Sequence, residues 1–82
     1  MDRDTLNRVL HGQADANIRF DDLRRLLKNI GFEERTKGSH HIFARLGISE
    51  ILNLESRGSN AKPYQVKQVR NLILRYKLGQ AE

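Results

Sequence analysis

The chain has no cysteine, no tryptophan and a single proline, and its aromatics are three Phe and two Tyr. Without cysteine there is no disulfide framework and no Cys-ligated zinc or iron–sulfur site, which fits a reducing, cytoplasmic location. No apolar run exceeds a few residues. That excludes a membrane span and the hydrophobic region of a signal peptide. Walker A and GxGxxG loops, a Ser-His-Asp order and paired-carboxylate spacing are also missing. At 82 residues the chain has room for one domain. A domain of that size buries only about 60% of its unfolded surface, so a large active-site cavity is not expected.

What is present is charge and periodicity. The net charge is +5, from 15 Lys and Arg against 10 Asp and Glu. The excess is not spread evenly: between Ser56 and Ala81 lie Arg57, Lys62, Lys67, Arg70, Arg75 and Lys77 with no acid among them. A basic segment of this kind attracts a polyanion such as nucleic acid, or an acidic protein partner. A helix with a solvated basic face and no partner is the simpler alternative. The hydrophobic fraction is low, 38% against 30% charged. Even so, the apolar residues fall in periodic clusters, so the chain reads as folded.

Leu6, Val9 and Leu10 have helical spacing, with Asp4 placed to cap the helix and His11-Gly12 to stop it. Residues 13–17 read as a connector. Asp21 can cap a second helix in which Leu23, Leu26, Leu27 and Ile30 form one stripe and Gly31 ends it. The period then shortens: residues 32–36, 40–45 and 50–55 read as three strands joined at Lys37-Gly38-Ser39 and Leu46-Gly47-Ile48-Ser49, an antiparallel meander. Residues 56–60 read as a loop. Pro63 fits the first position of a last helix carrying Val66, Val69, Leu72, Ile73 and Tyr76, closed by Gly79. The expected fold class is α+β, a small two-layer domain.

The most unusual local feature is Lys37-Gly38-Ser39-His40-His41. Successive strand residues point to opposite faces, so His40 and His41 cannot share one pocket, and one of them is structural. Metal binding would require carboxylates or the remote His11 to join them. A histidine near its ordinary pKa is a natural general acid or base at neutral pH. In metal-free RNA cleavage it takes the proton of the 2′-OH that attacks the neighbouring phosphate, and cations such as Lys37, Arg35 or Arg45 stabilise the developing charge. DNA lacks that hydroxyl and is not a substrate. On spacing alone, surface or hydrogen-bonding histidines are the commoner reading, and the Tyr and Phe residues read as packing rather than base-stacking groups.

The helix ending in Gly31-Phe32, the segment Lys37-Gly38-Ser39-His40-His41-Ile42-Phe43 and the run Lys62-Pro63-Tyr64-Gln65-Val66-Lys67-Gln68-Val69-Arg70 together resemble the HicA family of small mRNA interferase toxins. The resemblance divides the chain into an N-terminal helical extension (1–19), a HicA-like domain (20–78) and a short tail (79–82). It implies a double-stranded-RNA-binding-like α-β-β-β-α fold preceded by an extra helix. It also implies metal-independent endoribonuclease activity on mRNA, no cofactor, and neutralisation by a cognate HicB antitoxin. By position in the motif His40, directly after Gly-Ser, is the catalytic histidine. His41 is the alternative, because some family members carry Asn and then His there. Gly38 would keep the turn tight; on charge and position more than on the motif, Lys37, Gly38, Ser39, Lys62, Lys67 and Arg70 are expected to contact the nucleic acid. Two features depart from the family pattern: the helix before residue 20, and a segment 46–60 without the usual His- and Pro-containing strand end. A non-catalytic RNA-binding module of the same fold and a domain docking an acidic protein are the rival readings.

Overall fold

The order of elements follows from where the apolar stripes end. In the computed structural model, which describes residues 3–79, helix α1 spans Arg3–His11 and is followed by a 3-10 turn at Asp15–Asn17. Helix α2 spans Phe20–Asn29, strands β1 (Glu33–Lys37), β2 (His40–Ala44) and β3 (Leu52–Leu54) follow, then short strands β4 (Ser56–Arg57) and β5 (Asn60–Ala61), and helix α3 (Pro63–Tyr76). Residues 20–78 thus have the expected α-β-β-β-α order, preceded by one helix, with an additional two-stranded hairpin before α3. Of the expected tail, residues 80–82 lie outside the described residues.

Strands β1, β2 and β3 form an antiparallel meander in that order. The register aligns Glu34, Phe43 and Leu52 across the three strands, and likewise Thr36, His41 and Leu54. Cross-strand partners share a face, so these six define the inner face. Phe43, Leu52 and Leu54 are fully buried there, in one cluster with Leu6 and Val9 of α1, Leu23, Leu26 and Leu27 of α2, and Val66, Val69 and Ile73 of α3. The other register set, Arg35, Ile42 and Asn53 with the pair Lys37 and His40, faces outward. This is the two-layer α+β arrangement expected, and α1 belongs to its core through Leu6 and Val9.

The end of α2 is a Schellman motif. The Gly31 N–H donates to Lys28 O (3.1 Å), the Phe32 N–H donates to Leu27 O (3.0 Å), and Gly31 takes a φ of 102° that an L side chain rarely adopts. Its start differs from expectation. Asp21 does not cap the helix; the cap position falls on Arg19, two residues earlier, and the Phe20 N–H donates to Ser59 O (3.0 Å) in the β4–β5 turn. Asp21 and Asp22 instead sit in the first turn, favourable to the helix dipole, and pair with Arg24 and Arg25. Asp4 likewise lies inside the first turn of α1, not before it.

Three further expectations change. The presumed loop 56–60 contains the β4–β5 hairpin, which is anchored when the Ala61 N–H donates to Ile18 O (2.8 Å). Strand β3 is shorter than 50–55 because Glu50 is drawn to the end of α3, accepting hydrogen bonds from Arg75 and the Tyr76 hydroxyl. Helix α3 ends at Lys77, itself left-handed with φ 55°, and not at Gly79. Gly79 lies against α1: a Cβ there would come within 3.2 Å of Leu6 Cδ2.

Candidate active site

Strand alternation separates the two histidines. Their strand begins at a two-residue turn, Gly38-Ser39, between the paired residues Lys37 and His40. Gly38 has φ 60°, a conformation that suits glycine. His40 and Lys37 therefore face outward together, and His41 faces the helices.

His40 is exposed, and its Nδ1 lies 3.0 Å from Asn53 Oδ1 on the neighbouring strand. An amide oxygen only accepts, so Nδ1 carries a hydrogen, and in the neutral ring the lone pair lies on Nε2. The turn just before it is tied down. Ser39 Oγ donates to Glu55 Oε2 at 2.6 Å, and Lys62 Nζ donates to Glu55 Oε1 at 3.4 Å. The Ser39 hydrogen bond, then Lys62, holds the Glu55 carboxyl below its usual range. Glu55 is fixed in turn by Gln65, a residue only 2% exposed in the first turn of α3. With the Gln65 amide oriented to form both bonds, its nitrogen donates to Glu55 O (2.8 Å) and its oxygen accepts from Glu55 N (3.1 Å).

His41 occupies a different setting. Its Nδ1 donates to Glu34 Oε2 at 2.7 Å, and its ring meets Phe20 edge-on with centroids 5.0 Å apart. Glu34, with a side chain 7% exposed, also accepts from Arg24 Nε (2.6 Å) and Nη2 (3.0 Å), while Lys28 stands 3.5 Å away. The Arg24 hydrogen bonds outweigh the opposing effect of burial and, with His41 adding to them, pull the Glu34 carboxyl down to about 2. Arg24 is correspondingly raised above its ordinary value, chiefly by Glu34. This is a pinned carboxylate bridging α2 to the sheet.

Of the residues expected to contact nucleic acid, Lys37, Gly38 and Ser39 form the turn beside His40, and Lys62 is joined to them through Glu55. Lys67 is exposed on α3 and has no ion-pair partner among the described residues. Arg70 is bonded within the fold. Its guanidinium donates to both oxygens of Asp15 (2.9 and 3.2 Å) and to Val9 O (3.1 Å), joining α3 to the N-terminal segment. Its side chain is 15% exposed and engaged within the fold. Lys62, Arg70 and Arg75 thus all face carboxylates, whereas Arg35, Lys37, Arg57, Lys67 and Lys77 are cations without an ion-pair partner among the described residues. Asn53, Glu55 and Gln65 went unnoticed in the sequence; each acts through a partner at least ten positions away. Among the described residues no group of three His, Asp or Glu is arranged to hold a metal ion. No described helix is long and apolar enough to cross a membrane.

The architecture and the turn-borne histidine define a small α+β domain with a polar, outward-facing histidine site. A family model for the HicA toxin of bacterial toxin–antitoxin systems matches residues 20–76, from the first residue of α2 to the last of α3. The chain belongs to the HicA toxin family, whose fold is double-stranded-RNA-binding-like. No curated protein and no solved structure was found to match it. Membership assigns a toxin role in a toxin–antitoxin system, in a family of RNase toxins, and implies a cognate antitoxin.

Proposed function

We propose that the chain is a metal-independent endoribonuclease acting on mRNA in the cytoplasm, with His40 as general base. The observation that carries this reading is the placement of His40: outward beside Lys37, with Nδ1 held by Asn53 and Nε2 left basic. Nε2 takes the proton of a ribose 2′-OH, the oxygen attacks the adjacent phosphorus, and the 5′ oxygen leaves with a proton from solvent, giving a 2′,3′-cyclic phosphate. Lys37 and Lys62 flank the path of the backbone and stabilise charge on the phosphate as it develops. Lys67 adds a further phosphate contact along α3. An open, charged surface suffices for this chemistry, because the substrate supplies its own nucleophile. A HicB-like antitoxin neutralises the protein by covering the same surface.

The test is RNA cleavage by the purified full chain in EDTA. Cyclic phosphate ends should form, a 2′-deoxy substitution at the scissile position should block cutting, and His40→Ala should abolish both cleavage and growth arrest with the fold intact. Equal toxicity of wild type and His40→Ala would sink the proposal. So would RNA binding with steep salt dependence but no cutting in any condition.

A further inference from the structure

The chain changes sheets at Glu55, between the last residue of β3 and the first of β4. At such a switch the backbone groups have lost their ladder partners, and here Gln65 replaces a strand by pairing with both the N–H and the C=O of Glu55. A buried amide used this way fixes the peptide in position and direction, and so aims the carboxylate that follows from it. That carboxylate bonds Ser39, the residue before His40, through one oxygen and Lys62, the residue before α3, through the other. No other described side-chain hydrogen bond joins the β1–β2 turn to the α3 side of the molecule.

We infer that Gln65 and Glu55 form a strut that sets the position of His40 relative to the phosphate-gripping Lys62, making Glu55 a positioning residue for cleavage. The inference rests on the endoribonuclease reading above. Glu55 is an acid within a surface that has to accept phosphates, so its presence there opposes binding. Its hydrogen bond to Ser39 keeps a glycine-containing turn from drifting, and a displacement of the base of about 1 Å can lower the rate by about a hundredfold. The two effects have opposite signs on affinity and rate, and that difference is measurable.

In the full chain, Glu55→Ala should lower kcat for RNA cleavage about tenfold to a hundredfold, while KM stays level or falls because Lys62 is released. Glu55→Gln keeps an oxygen for Ser39 and should recover most of kcat. Ser39→Ala, exposed and safe for folding, should lower kcat in the same direction as Glu55→Ala, as should Gln65→Leu if circular dichroism shows it folded. The imidazole NMR signals of His40 should move in Glu55→Ala while those of His41 stay in place, and this readout needs no cleavage. Unchanged kcat and an unmoved His40 signal in Glu55→Ala would overturn the strut. So would a rise in KM with kcat intact, or Glu55→Gln as impaired as Glu55→Ala. If the wild type cleaves no RNA, the nuclease reading fails, while the His40 signal still shows whether the strut positions the ring.

Discussion

The two faces of the three-stranded sheet hold adjacent histidines in opposite circumstances. On the inner face His41 is closed in by Phe20 and bonded to a carboxylate that Arg24 already grips twice. On the outer face His40 is exposed, with one neutral partner, Asn53. A carboxylate next to a histidine is often read as a sign of catalysis, but here that pair joins α2 to the sheet beneath the helices. The histidine with the less elaborate neighbourhood is the one open to solvent, and so the one proposed to meet a phosphodiester. A carboxylate partner by itself therefore does not mark a histidine as catalytic; here it goes with the enclosed side chain, and the exposed one is bonded only to an amide.

Exchanging these roles by mutation gives the largest effects. His40→Ala should reduce cleavage by about 10² to 10⁴, the usual contribution of a general base, and change stability by no more than about 0.5 kcal/mol, as for other surface substitutions. His41→Ala should do the reverse. It loses a hydrogen bond to a charged group and an aromatic edge contact, a destabilisation of about 1 to 2 kcal/mol, with turnover of the folded fraction retained. Cleavage assays paired with urea titrations measure both. A His41→Ala protein that folds normally and cannot cut RNA would exchange the assignments.

The pinned carboxylate makes the inner face sensitive to acid. Glu34 sits at about 2 in the folded chain, below the unfolded value near 4.5. Its stabilisation is therefore fully present above pH 4.5 and is lost as the pH falls from there towards 2. The full linkage is discounted because Arg24 and Lys28 are partly in solvent, leaving a loss of about 2 kcal/mol over that window. Glu34→Gln should be less stable than wild type at pH 7 and should lose less on acidification. Some acid sensitivity remains in it, since the Glu50 and Glu55 carboxyls are also held low. Parallel pH profiles of unfolding for the two proteins would refute the assignment.

Much of this arrangement was legible because it is local. The stripe Leu23, Leu26, Leu27 and Ile30 with Gly31 behind it marked α2, Pro63 marked the start of α3, and Gly38 between polar strands marked the turn that opens the strand on which His40 and His41 alternate. What was not legible depends on distant partners. Residues 56–61 carry little apolar alternation, and they pair because residues 18–20 supply backbone groups for them. Gln65 lies on the apolar face of α3, four residues before Val69, yet what its amide bonds to stays hidden until Glu55 is placed against it. Arg70 falls within an acid-free run, and only the fold brings Asp15, 55 positions earlier in the chain, into contact with it.

That last contrast, between a cation used by the fold and one left to solvent, gives the smallest effect. Lys67 has no ion-pair partner among the described residues, so a phosphate it meets displaces only water and counterions. Lys67→Met should weaken RNA binding uniformly across sequences and reduce the slope of log affinity against log salt by about 1. Arg70→Met should leave that slope where it is, because its charge is already balanced by Asp15. It should instead lower stability by about 1 to 2 kcal/mol, leaving Asp15 and the Val9 carbonyl without their donor. Salt titrations of RNA binding, run on both variants alongside unfolding curves, separate the two. An equal drop in salt slope for both would mean that the Asp15 pair opens to receive RNA, and that the N-terminal helix is part of the binding surface rather than only of the core.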